Sequence, residues 1–188
     1  MESDLFKTIF QSIYFFLPAY FANLSASLSR KLKFLDFLAK PVDGGKLFQG
    51  YPIFGNHKTW RGIICGSVVG TLTALVQKWL HLSFSFFQNL SFVDYSKLNI
   101  FLFGFLLSFG ALFGDLLFAF FKRRQGIKPG DPWIPFDQIN FLIGGFCFIT
   151  PYVCLPIKIW LTLLVCTFFL HILANRLGYF LKLQKVKW

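Results

Sequence analysis

An all-α integral membrane protein, a bundle of five transmembrane helices, is the fold class this sequence predicts, and three observations predict it. Of 188 residues, 55% are hydrophobic and 21% aromatic, with 28 phenylalanines, while 14% are charged. A soluble domain devotes about a quarter of its residues to charge, so this chain has too little to wet its own surface. The apolar residues fall in runs near the ~20 residues that a bilayer-crossing helix needs. The charges, finally, are gathered between those runs. The same composition excludes a disordered or collagen-like chain, and the length suits one membrane domain spanning 1–188.

The spans are drawn at 6–28, 62–82, 98–121, 139–156 and 158–180. Glu2 and Asp4 open the chain, whereas a signal peptide needs a positive leader, so the first run is read as a permanent helix. Gly62, Gly66 and Gly70 lie four apart on one face of the second span, the spacing that lets helix backbones approach in lipid. Gly110 and Gly114 repeat that spacing late in the third span, and there, leading into Asp115, they are read as packing residues that also clear space for a ligand. The fourth and fifth spans, with Pro156 at the bend, read as a tight antiparallel hairpin. Residues 83–97 read as an external interfacial segment and 31–40 as one lying along the cytoplasmic surface, its lysines toward anionic headgroups. Cys65, Cys147, Cys154 and Cys166 sit in apolar segments without CxxC spacing, which favours packing over zinc or a disulfide framework.

The formal net charge is +11, from 19 Lys and Arg against eight acidic residues. Such a balance suggests nucleic acid, but the basic residues here lie between membrane runs, where they mark cytoplasmic loops. Loops 29–61 and 122–138 and the tail from 176 hold all the Lys and Arg except Lys7, Lys78, Lys97 and Lys158. With five spans those three segments share one side, which puts the N-terminus outside, the C-terminus in the cytoplasm, and two functional loops on the cytoplasmic face.

Asp115 is the residue that lipid alone does not explain, because a carboxylate inside a spanning helix costs about 3 kcal/mol even on the lenient insertion scale. Lys122 follows at i+7 on the same helical face, so an ion pair that merely orients helices is one reading of Asp115 and a functional site the other. The loop KRRQGIKPGDPWIPFDQIN (122–140) gathers Lys122, Arg123, Arg124 and Lys128, is kept from helicity by its prolines, and ends with Asp137 and Asn140 at i and i+3. Singly, Asp137 reads as a helix N-cap and the arginines as topology anchors; together, two carboxylates beside a rigid basic loop suit a divalent cation carrying a polyphosphate. The first loop, PVDGGKLFQGYPIFGNHKTWRG (41–62), offers tight glycine turns, the donors Lys46, Lys58, Thr59 and Arg61, and a helix N-terminus that attracts anions. It is not a Walker A sequence.

LPAYFAN (17–23), KPVDGGKLFQGYPIFGNHKTWRGIICG (40–66) and FGALFGDLLFAFFKRRQGIKPGDPWIPFDQINFLIGG (109–145), with the five-span layout, resemble the CDP-archaeol synthase family, archaeal-type relatives of phosphatidate cytidylyltransferase. The resemblance implies transfer of a cytidylyl group from CTP to a membrane lipid phosphate, 2,3-bis-O-geranylgeranylglycerol 1-phosphate or similar, with release of pyrophosphate and a cytoplasm-facing site in the cell membrane. It implies Mg²⁺ as cofactor, held by Asp115 and Asp137, and phosphate-binding roles for Lys122, Arg123 and Arg124. The family usually places a second aspartate three residues beyond Asp137, where this chain has Asn140, a third candidate metal ligand. The phosphate-binding candidates extend to Lys46, Asn56, Lys58, Thr59, Arg61 and Lys128, with Asp43 and Asn23 as further candidates. Lys58 and Arg61 are assigned a second phosphate. Trp60 and Trp133 read either as covers for the cytosine or headgroup or as interfacial anchors. A diacyl lipid substrate, a small transporter with Asp115 as its ion site, and an inactive scaffold of the same fold are the alternatives that remain.

Overall fold

The computed structural model of the chain describes residues 2–31, 33–129 and 131–180. Lys182, Lys185 and Lys187 of the basic tail, and Gly130, lie outside the described residues. The chain is mostly helical: α1 (Glu2–Leu28), α2 (Trp60–Ser83), α3 (Ser85–Leu90), α4 (Ile100–Arg124), α5 (Phe136–Ile149) and α6 (Ile157–Phe180). Two short 3₁₀ turns follow α1, and a small hairpin, β1 (Leu47–Phe48) with β2 (Tyr51–Pro52), stands between them and α2. Among the described residues, α2, α4 and the Ile157–Leu177 part of α6 are long and apolar enough to cross a membrane. α1 has the length but dilutes its apolar run with Gln11, Ser12, Asn23, Ser25 and Ser27.

α2 shows how such a sequence packs. Its inner face is small or polar, with Gly62, Gly66, Gly70, Ala74, Gln77 and His81 buried, while Val68, Leu72, Val76 and Trp79 are exposed. That inversion suits hydrocarbon outside and close helix contact inside. A Cβ on Gly66 would come within 2.8 Å of the Ala22 carbonyl of α1, and one on Gly70 within 2.6 Å of the Pro18 carbonyl. α4 sits centrally against α1, α2 and α5, and α6 closes on α1 and α5. Phe15 and Phe16 of α1 carry the core, touching Phe103 of α4, Phe141 of α5 and Trp160 of α6 through aromatic contacts.

Two expectations change. The fourth span, drawn at 139–156, is a helix of 14 residues, Phe136–Ile149. Pro151, which has no N–H to donate and clashes with the preceding turn, stops it, so residues 150–156 form a bend longer than the expected tight hairpin. At 1.5 Å per residue α5 is about 21 Å long, short of a ~30 Å hydrocarbon core. Gly110 and Gly114 leave no room for a ligand: a Cβ at either would strike α5, within 2.9 Å of the Gly144 carbonyl and 2.4 Å of the Asn140 carbonyl respectively. Residues 83–97 keep an exposed apolar side, with Phe84 and Phe86 turned outward, and are held to the bundle from the other. Tyr95 is fully buried, and Asp94 fastens the segment to α2 by lying 3.3 Å from His81 Nε2 while accepting from the Ser96 hydroxyl and N–H.

Candidate active site

The first loop is closed before it reaches α2. The Val42 N–H donates to the Lys58 carbonyl at 2.8 Å and the Trp60 N–H to the Lys40 carbonyl at 3.1 Å, so both ends of the loop meet at the start of the helix. Thr59 then caps α2, its hydroxyl accepting from the Gly62 N–H at 3.3 Å. Inside the loop, Asp43 accepts from three backbone N–H groups: Gly45 at 2.9 Å, Phe54 at 2.8 Å and Gly55 at 3.0 Å. Burial pushes the Asp43 carboxyl up, but these donors outweigh it and hold it below the ordinary carboxylate range. Gly55 takes part at φ 97°, a conformation open to glycine and strained for other residues. Gln49 and Gly50, both at positive φ, make the two-residue turn of the β hairpin.

Arg124 then locks the hairpin to α4. Its guanidinium donates to the Pro52 carbonyl at 2.8 Å and lies 4.0 Å from the Phe120 ring centroid and 5.0 Å from that of Phe48. The loop is thereby held over the last two turns of α4.

Between loop and helices lies a cavity of about 360 Å³. Asp115, Ala119, Lys122 and Arg123 of α4 line it, with Asp137 and Asn140 of α5, Phe54, His57 and Lys58 of the first loop, Pro129, and Arg30 from the 3₁₀ turn after α1. Four cations thus face two carboxylates, a balance suited to a polyanion. Lys58 pairs with Asp115, and Lys122 pairs with Asp137 at 2.6 Å. Asn140 donates its amide N–H to the other Asp115 oxygen at 3.2 Å. Asp137 is not the cap of α5, a place taken by Pro135; it sits in the first turn, where its carboxylate accepts the Trp133 N–H at 2.7 Å. A carboxylate at this end also favours the helix dipole.

The candidates therefore divide. Asp115, Asp137, Asn140, Lys58, Lys122 and Arg123 come together in the cavity. Arg61 turns away from it, donating to Asp36 at 2.7 Å and to the Arg30 carbonyl at 3.4 Å, and Arg124 holds the hairpin. Thr59 and Asp43 build the loop, while Lys46, Asn56 and Lys128 stand exposed and outside the lining, and Asn23 is half-buried on α1. Trp133 packs on Phe136 with centroids 4.4 Å apart and on Phe118 at 6.2 Å, and the Trp60 side chain is exposed. Arg30 is the lining cation that sequence reasoning passed over, because its position depends on how α1 docks on α2.

The donor set itself limits what the cavity holds. Among the described residues no group of three or more His, Cys, Asp or Glu is placed to ligate a metal. The two carboxylates are hard oxygen donors, the kind Mg²⁺ takes when waters and substrate phosphates fill its other positions, while Asn140 turns its amide N–H to Asp115 and its oxygen to the Phe141 N–H.

Residues 5–188 match the family model described as CarS-like, CDP-archaeol synthase. A Pyrococcus furiosus protein named CDP-archaeol synthase is 38% identical over 181 residues, 96% of this chain and 98% of its own length. Proteins of the same name from Methanocaldococcus jannaschii and Pyrococcus abyssi are 37% and 40% identical, each over at least 96% of this chain and 98% of their own. A solved chain described as an intramembrane enzyme for archaeal membrane lipids biosynthesis superposes with a TM-score of 0.67 at 24% identity, covering 87% of this chain and 91% of that one. The last likeness shows a common fold.

Proposed function

This chain belongs to the CDP-archaeol synthase family, and from that premise we propose that the cavity between the first loop, α4 and α5 is where it transfers a cytidylyl group from CTP to a lipid phosphate. The protein is a membrane-embedded cytidylyltransferase whose substrates are CTP and the phosphate of an archaeal ether lipid. An oxygen of the lipid phosphate bonds to the α-phosphorus of CTP, the bond from that phosphorus to the β-phosphate bridge breaks, and pyrophosphate leaves with the electron pair. A phosphate monoester is already an anionic nucleophile near neutral pH, so no strong base is needed. The obstacle is bringing two anions together, and charge neutralisation with in-line positioning removes it.

Asp115 and Asp137 are the residues that would hold Mg²⁺, with Asn140 orienting Asp115 through its amide N–H. The ion supplies charge neutralisation and a template for the triphosphate. Lys122 and Arg123, fixed at the end of α4, and Lys58, reaching in from the first loop, are assigned the phosphates of CTP, and Arg30, just after α1, the lipid phosphate. Trp133, packed against Phe118 and Phe136, anchors the second loop at the interface instead of covering the base. α1 and α5 complete a five-span bundle with the N-terminus outside, so the cavity opens at the cytoplasmic surface, where water-borne CTP meets a headgroup whose chains stay in lipid.

One observation carries this assignment: two carboxylates and four cations share one cavity at the end of α4. The test is Asp115→Asn in purified, folded protein supplied with CTP, Mg²⁺ and an archaeal ether-lipid phosphate. CDP-lipid formation should fall at least about 100-fold, the scale of losing a transition-state contact. Activity within a few-fold of wild type would show that the chemistry lies elsewhere.

A further inference from the structure

Each carboxylate of the cavity already has a cation. Lys58 reaches Asp115 from the first loop, with side chains about one quarter exposed on both partners. Lys122 reaches Asp137 at 2.6 Å from α4, its own side chain 9% exposed. A bare divalent ion entering here competes with two resident ammonium groups, and displacing them alone would leave one buried and one partly buried cation unpaired in one cavity. A metal–triphosphate changes that balance. The ion takes the carboxylates while phosphate oxygens, in the same cavity, receive the ammonium groups, so no charge is stranded at any stage. Lysine suits such a move because its charge is compact, carries three donors and rides on four flexible methylenes.

Resting on the reading above, we propose that Lys58 and Lys122 are place-holding cations that pair with Asp115 and Asp137 until Mg²⁺ and CTP bind and then pass to phosphate oxygens. Metal and nucleotide then bind with positive coupling, since each completes the partner exchange that the other begins. The placeholders also keep the metal carboxylates paired and in position while the site waits for substrate.

The test uses Mn²⁺ as an EPR probe on full-length protein in detergent, without lipid, with and without CTP. Wild type should bind Mn²⁺ weakly alone and on the order of tenfold more tightly with CTP, within the ordinary range of coupling. Lys58→Met should reverse the balance: Mn²⁺ alone tightens by on the order of tenfold, CTP weakens, and the coupling shrinks. A merely structural lysine would not move the two affinities in opposite directions. Lys58→Gln and Lys122→Met provide the same reading should the first variant not fold, judged by circular dichroism and gel filtration. Lys58→Arg should retain the coupling. Unchanged or weaker Mn²⁺ binding in folded Lys58 and Lys122 variants would overturn the exchange. If wild type still makes CDP-lipid in that case, the transfer reading stands while the exchange falls.

Discussion

Asp115 illustrates how one side chain narrows the chemistry. A lipid-facing carboxylate would be costly, yet this one points into a polar cavity, paired with Lys58 and hydrogen-bonded by Asn140. The amide N–H of Asn140 bonds a carboxylate oxygen that a second carboxylate there would repel. Asn140→Asp should therefore raise divalent-metal affinity by on the order of tenfold, because a third negative oxygen set joins the other two. Mn²⁺ titration followed by EPR checks this, and an unchanged affinity would place residue 140 outside the coordination sphere. Asp115, Lys122 and Asp137 were legible in the sequence, since acidic and basic residues within and beside an apolar run have few other reasons to be there. Arg61 and Arg124 were not separable from phosphate ligands. Only the fold reveals that Asp36 takes one, and Pro52 and two phenylalanine rings the other.

At the scale of elements, glycine decides how closely the two carboxylate-bearing helices lie. α4 and α5 meet through Gly110, Gly114 and Gly144, and a Cβ on Gly114 would sit 2.4 Å from the carbonyl of Asn140. Gly114→Ala should destabilise the protein by about 1–3 kcal/mol, the usual penalty of overpacking. It should also lower CDP-lipid formation, by pushing the Asp137–Asn140 turn away from Asp115. Thermal unfolding in detergent measures the first effect and the transferase assay the second; a variant with wild-type values of both would mean that α5 yields freely. Helix positions were largely readable from apolar runs, and α2, α4 and α6 lie within about three residues of the spans drawn for them. The end of α5 was misplaced because Pro151 was counted within an apolar run instead of as its stop. The hairpin at 47–52 depends on backbone pairing and the Asp43 knot on a carboxylate accepting N–H groups 11 and 12 residues away, neither of which a periodicity announces.

Taken whole, the molecule separates its two solvents. Large apolar side chains such as Phe101, Leu161, Val165, Phe169 and Leu173 face outward along the long helices, while the polar cavity sits at the end where α4 carries Lys122, Arg123 and Arg124. The mostly helical membrane class was legible because composition and charge segregation act over the entire chain, and the family was legible from the stretches at 17–23, 40–66 and 109–145. The central claim is that this cavity joins the α-phosphorus of CTP to a lipid phosphate. Position-specific labelling tests it most directly: purified protein, Mg²⁺ and an archaeal ether-lipid phosphate receive CTP labelled with ³²P at either the α or the γ position. The account predicts α label in the lipid product and γ label in pyrophosphate, with both transfers lost in Asp115→Asn. Label reaching the lipid from the γ position, or α label transferred undiminished by the Asp115→Asn protein, would contradict it.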